Sequence, residues 1–141
     1  SFIYLLNISY SMKVQELINC VKKFHESFGI ENNFKPTVEL TEKEIQLRYE
    51  LLKEENEEYL SAALNGDITE VADALGDQLY ILIGTILKHG MQDVIEDVFQ
   101  EIQNSNMSKL GEDGKPIYRE DGKVLKGPKY YKPNISKIIN K

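Results

Sequence analysis

The chain has 141 residues, of which 28% are charged and 41% hydrophobic, and it carries a net charge of −6. That balance describes one soluble globular domain with a core of its own; it offers no broad basic stripe for nucleic acid and no apolar run long enough to span a bilayer. The single cysteine, Cys20, excludes an internal disulfide framework and fits a reducing, cytoplasmic setting.

Residues 1–11 open on the apolar run Phe2 to Leu6. They lack a basic leader and a small-residue cleavage site, so a signal peptide is not expected. They read as an N-terminal extension ahead of Met12, or as a segment packing on a partner. From Met12 to Phe28 apolar residues recur at three- and four-residue steps, which predicts a helix closed by Gly29. His25 on this helix reads as a surface or packing residue, because no second metal ligand is spaced with it. A loop over 31–39 follows. Thr41 with Glu44 forms a capping-box pattern, predicting a second helix over 42–64 that Asn65-Gly66 stops. Asp67 with Glu70 repeats the pattern and opens a third helix running to about Lys88. From Leu79 to Leu87 that helix is apolar nearly all round, which predicts burial on every side and, in so small a domain, an oligomer interface nearby. A fourth helix is predicted over 91–105. Phe24, Phe28, Phe34 and Tyr80 read as core.

After Asn106 glycine, proline and lysine become frequent and helical periodicity stops. Residues 117–119 and 123–125 flank Asp121-Gly122, a pattern for a small β-hairpin that needs docking to be stable. Tyr130, Tyr131 and Pro133 are candidate anchors for this tail.

The acids of the second and third helices carry the chemistry. With Glu54 at zero on a wheel of about 100° per residue, Glu58 falls at about 40° and Glu55 at about 100°, among Leu47, Leu51 and Ala62. With Glu70 at zero, Asp77 falls near −20° and Asp73 near −60°, in line with Ile81 and Gly84. Both acid sets therefore lie on faces that apolar neighbours bury, and nothing basic is expected on those faces before Lys88. Buried carboxylates need cations or protons, and hard oxygen ligands suit Mg²⁺ or Mn²⁺. Such a cluster fits divalent-metal phosphate chemistry, in which Asn106, Lys109 and Lys126 are candidates for holding the polyphosphate. On composition alone an acidic helix is usually a solvated face, and Glu70 and Asp73 also suit a first helical turn. The coincidence of two acid sets across one turn favours the metal site.

The run Glu54-Glu55-Asn56-Glu57-Glu58 followed by Glu70-Val71-Ala72-Asp73 resembles the signature of the MazG-like, all-α nucleotide pyrophosphohydrolase superfamily. That superfamily includes the dimeric dUTPases and phosphoribosyl-ATP pyrophosphohydrolase. The segments 106–110 and 122–128 resemble a MazG-like subgroup with a hairpin extension. The resemblance implies Mg²⁺-dependent cleavage of a nucleoside triphosphate or deoxynucleotide between its α and β phosphates, by a homodimer or dimer of dimers. Carried over by position, Glu54, Glu55, Glu58, Glu70 and Asp73 become metal ligands or the base-positioning acid, with the choice between Glu54 and Glu55 open. Asp77 stands where some members place a further acid. Asn106 and Lys109 become nucleotide contacts, with Lys126 and Tyr130 beside them.

The resulting expectation is an all-α fold. Four main helices form a bundle-like core assembled by homo-oligomerisation, over 12–110, with a small C-terminal β-hairpin tail over 111–141. The leading function is a general nucleoside triphosphate pyrophosphohydrolase. One alternative is a narrower dUTPase-like or phosphoribosyl-nucleotide enzyme; another is a non-enzymatic acidic interaction module.

Overall fold

A computed structural model describes residues 12–141. The expected N-terminal extension, 1–11, lies outside the described residues. The fold is all-α, with four main helices and a short fifth: α1 (Val14–Ser27), α2 (Glu42–Leu64), α3 (Ile68–Lys88), α4 (Ile95–Met107) and α5 (Ile135–Ile139). The chain divides into two compact units, one ending at Gln92 and the other spanning Asp93–Lys141.

In the first unit α1 and α2 both pack on α3. Ile18, Val21, Ala74, Ile83 and Leu87 form its buried centre. All three helices end the same way. The N–H groups of Ile30, Asp67 and Met91 donate back to the carbonyls of His25, Ala62 and Ile86, the long closing bond of a Schellman motif. Gly66 supplies the left-handed residue (φ +67°) that lets α2 reverse directly into α3.

The start of α2 carries the expected reciprocal capping box between Thr41 and Glu44. The start of α3 carries half of one: Asp67 accepts from the Glu70 N–H at 3.1 Å. The return bond is not made, because the Asp67 N–H already donates to Ala62 in closing α2. The Glu70 carboxylate is thereby left unused by the cap.

Three expectations are corrected. The fourth helix starts at Ile95 rather than Met91, because Met91 closes α3 and Gln92 is tied into the first unit, its amide donating to the Asn33 carbonyl at 2.7 Å. Within one chain α3 is not buried on every side: Leu75, Leu79 and Leu82 are about half exposed. Nor are all the aromatics core, since Phe28 and Phe34 are largely exposed.

In the second unit α5 packs on α4. Buried Ser105 donates to the Tyr131 carbonyl at 2.8 Å, and Ile138 is buried. Between these helices no strand forms among the described residues. The expected hairpin is a turn at Asp121-Gly122 with an isolated antiparallel bridge between Tyr118 and Val124. Arms this short and exposed make too few pairs to propagate a ladder.

Candidate functional site

The turn at 65–67 lays α2 and α3 antiparallel and turns their acids toward each other. Glu55, Glu58 and Asp77 each offer a carboxylate oxygen, all within 4.8 Å of one another. Glu55 and Glu58 are one turn apart on α2, and Asp77 comes from α3. Directly beside them Gln78 donates to Asn56 at 3.0 Å, clasping the two helices.

Three like charges so close cannot all ionise without a cation. Glu55 shows the consequence. Its carboxyl is pushed up to about 7, first by loss of solvent, then by its hydrogen bond and charge interaction with Glu58, then by the charges of Asp77 and Asp73. Its Oε2 is buried without a hydrogen-bond partner. An orphaned carboxylate oxygen within an all-oxygen donor set fits a hard divalent cation such as Mg²⁺.

The other acids fall into place around this trio. Glu58 also lines a cleft of about 300 Å³ with Ser61, Asn65, Asp67 and Glu70. Asp73 contributes through its charge on Glu55. Glu54 is exposed and stands outside the trio, so of the Glu-Glu pair it is Glu55 that the fold directs at Glu58 and Asp77. Asn106, Lys109, Lys126 and Tyr130 belong to the second unit. There the Lys126 ammonium sits 4.7 Å from the centre of the Tyr130 ring, and the Lys109 carbonyl accepts from Gly127 at 2.8 Å.

The expectation that nothing basic precedes Lys88 on these faces is wrong. Arg48 falls at about 120° on the α2 wheel, beside Glu55 at about 100°. It reaches across to α3, donating from Nε to Thr85 at 3.0 Å and from Nη2 to the Ile81 carbonyl at 2.7 Å. Lys88 is itself 6% exposed, its ammonium donating to the Glu31 carbonyl at 2.8 Å and lying 3.6 Å from Glu44. His25 is buried too, bonded to Asn32 at 2.6 Å; burial lowers its pKa, and the charges of Arg48 and Lys88 lower it further. The wheel position of Arg48 was a signal present in the sequence. The clasp between Asn56 and Gln78 had none, because each is an ordinary polar residue on its own helix.

A family model described as phosphoribosyl-ATP pyrophosphohydrolase matches residues 21–106, a span that holds every acid of the site. No curated protein matches the chain significantly.

Proposed function

From the chain's membership of the phosphoribosyl-ATP pyrophosphohydrolase family, within the all-α nucleoside triphosphate pyrophosphatase superfamily, we propose that it cleaves the α–β anhydride of a phosphoribosyl-substituted nucleoside triphosphate. The enzyme is a hydrolase acting on phosphorus-containing anhydrides, and its substrate is a nucleotide. This removes the acidic interaction module and favours the narrower substrate class over a general nucleoside triphosphate pyrophosphohydrolase.

The observation that carries the reading is the convergence of Glu55, Glu58 and Asp77, with the Glu55 Oε2 left orphaned. These three residues would hold Mg²⁺, or Mn²⁺ in its place. When bound, the cation clamps polyphosphate oxygens and lowers the pKa of a bound water. Glu70, whose carboxylate takes no part in the helix cap and which lines the cleft with Glu58, is proposed to complete the donor set with Asp73. Glu54 is proposed to help orient the attacking water from the rim. Asn106 and Lys109 are proposed substrate contacts, with Lys126 and Tyr130 beside them. Water adds across the anhydride, leaving pyrophosphate and the phosphoribosyl-substituted nucleoside monophosphate.

A broader MazG-like range of nucleoside triphosphates is the second reading. It is favoured by the tail pattern over 106–128, most of which lies beyond the matched span. For the assembly we propose a second copy over the half-exposed Leu75, Leu79 and Leu82, which with Tyr49 and Leu52 line an open groove of about 690 Å³.

The test is pyrophosphate release from phosphoribosyl-ATP and from each nucleoside and deoxynucleoside triphosphate, with Mg²⁺ and with chelator. Chelator-sensitive turnover of phosphoribosyl-ATP alone is expected. Turnover of plain triphosphates at equal or greater kcat/KM replaces the narrow reading with the broad one. Absence of turnover across the set, with no effect of Glu58→Gln on nucleotide binding, sinks both.

A further inference from the structure

A second pocket lies further along the seam that holds the acids. It has a volume of about 420 Å³ and is lined by Ile30 and Glu31 from the α1–α2 loop, Glu44, Arg48 and Leu51 from α2, and Lys88 at the end of α3. Glu44, Arg48, Leu51, Glu55 and Glu58 follow one another at three- and four-residue steps, so pocket and acid trio share one stripe of α2. Arg48 precedes Glu55 by two turns, about 10 Å along the helix.

Two cations line this pocket, and only one of them, Lys88, has an acid partner among the described residues. Lysine and arginine are rarely buried unless paired. The Arg48 guanidinium bonds only to neutral oxygens, those of Ile81 and Thr85, and among the described residues it has no salt bridge. Lys88 has one carboxylate nearby, Glu44 at 3.6 Å. That carboxylate is shared, because its Oε2 accepts from the Thr41 N–H at 3.0 Å in the capping box. Glu31 meets Lys88 through its backbone carbonyl. The fold makes room for the guanidinium: a Cβ on Gly84 would stand 2.5 Å from Arg48 Nη2 and 3.0 Å from His25 Nε2. A guanidinium with unused donors and an ammonium beside it, in a pocket open to a ligand, match a phosphate monoester.

We propose that the pocket bounded by Arg48 and Lys88 is a phosphate subsite that receives the second, non-reacting phosphate of the substrate while its triphosphate lies at Glu55, Glu58 and Asp77. This rests on the phosphoribosyl-nucleotide reading above. It explains how the site distinguishes such a substrate, which carries an anion at both ends, from a plain nucleoside triphosphate, which carries one. Leu51, between the two sites, offers the apolar surface over which the intervening nucleoside passes.

The experiment has a binding arm and a kinetic arm. Ribose 5-phosphate and ribose are titrated into the metal-free full chain while the amide of Gly84 and the imidazole of His25 are followed by NMR. Ribose 5-phosphate is expected to shift both signals saturably and ribose to leave them in place. Arg48→Lys is expected to retain weaker binding, and Arg48→Met to lose it with the rest of the spectrum unchanged. Ribose 5-phosphate that leaves Gly84 and His25 unmoved overturns the subsite whatever the enzyme turns over. Kinetically, Arg48→Met is expected to raise the KM for phosphoribosyl-ATP at least tenfold and change kcat little. Ribose 5-phosphate is expected to compete with that substrate; binding without competition overturns the assignment to the substrate's own phosphate. Saturable ribose 5-phosphate binding in a chain that hydrolyses no phosphoribosyl nucleotide overturns the assigned substrate and retains the phosphate pocket.

Discussion

Gln78 donates a hydrogen bond to the Asn56 side-chain oxygen at 3.0 Å, and these two residues directly follow Asp77 and Glu55. The clasp therefore fixes the register of the two helices at the level where their acids meet. Both side chains belong to neutral amides, so the bond brings no charge to a site already crowded with negative charge.

Replacing Asn56 by Leu is expected to cost about 1 kcal/mol of stability, the usual net value of one such bond. The larger effect falls on the cation. A small slip of α3 along α2 separates Asp77 from Glu55 and Glu58, so Mg²⁺ affinity measured by calorimetry should fall several-fold. Unchanged affinity in a folded Asn56→Leu variant would show that the clasp does not position the acids.

Metal binding should stabilise the fold, because the converging acids exist only there. At a Mg²⁺ concentration a hundredfold above Kd the gain is about 2.7 kcal/mol, roughly 8 °C in melting temperature. Glu55→Gln, Glu58→Gln and Asp77→Asn should each abolish most of this shift, whereas Glu57→Gln should keep it. In chelator the same three substitutions should raise the melting temperature at pH 8, since each removes like-charge repulsion. A Mg²⁺ shift that survives all three would place the cation elsewhere.

The pH dependence of the metal-free protein separates two groups of opposite sign. Glu55 is pushed from its ordinary 4.5 to about 7 on folding. The folded state therefore binds more protons than the unfolded chain between these values, and stability falls as pH rises through that window. His25 is lowered from 6.5, chiefly by burial. Below pH 6.5 the unfolded chain binds the extra proton, so stability falls as pH drops. Glu55→Gln in chelator should remove the first trend and leave the second, as read from melting temperatures between pH 5 and 8. Parallel curves for the two proteins would contradict the Glu55 assignment.

Two glycines of α3 should respond oppositely to a methyl group. Gly76 has open space where a Cβ would sit, so Gly76→Ala should stabilise by about 1 kcal/mol through helix propensity. Gly84 faces Arg48 Nη2 at 2.5 Å from that position, so Gly84→Ala should destabilise and displace the guanidinium from Ile81 and Thr85. Chemical denaturation of both variants decides it; equal stabilisation would mean that Arg48 moves aside freely.

The capping residues Thr41, Glu44 and Asp67, the stops at Gly29, Gly66 and Gly90 and the three-to-four spacing of apolar residues determined by themselves that α1, α2 and α3 form and roughly where they end, because these are interactions between residues a few positions apart. The same local logic put Glu55 and Glu58 on one face of α2 and Asp77 on one face of α3. It could not choose between Glu54 and Glu55, nor pair Asn56 with Gln78, because both depend on the rotation of α2 about its axis against α3. It also expected nothing basic on the acid faces before Lys88, passing over Arg48, and carried the fourth helix back to Met91. Only the tertiary structure decided these points: the packing of α2 on α3 selects which side chains meet, and so makes a carboxylate trio, and a guanidinium without a salt bridge among the described residues, out of side chains that would be solvated on an isolated helix.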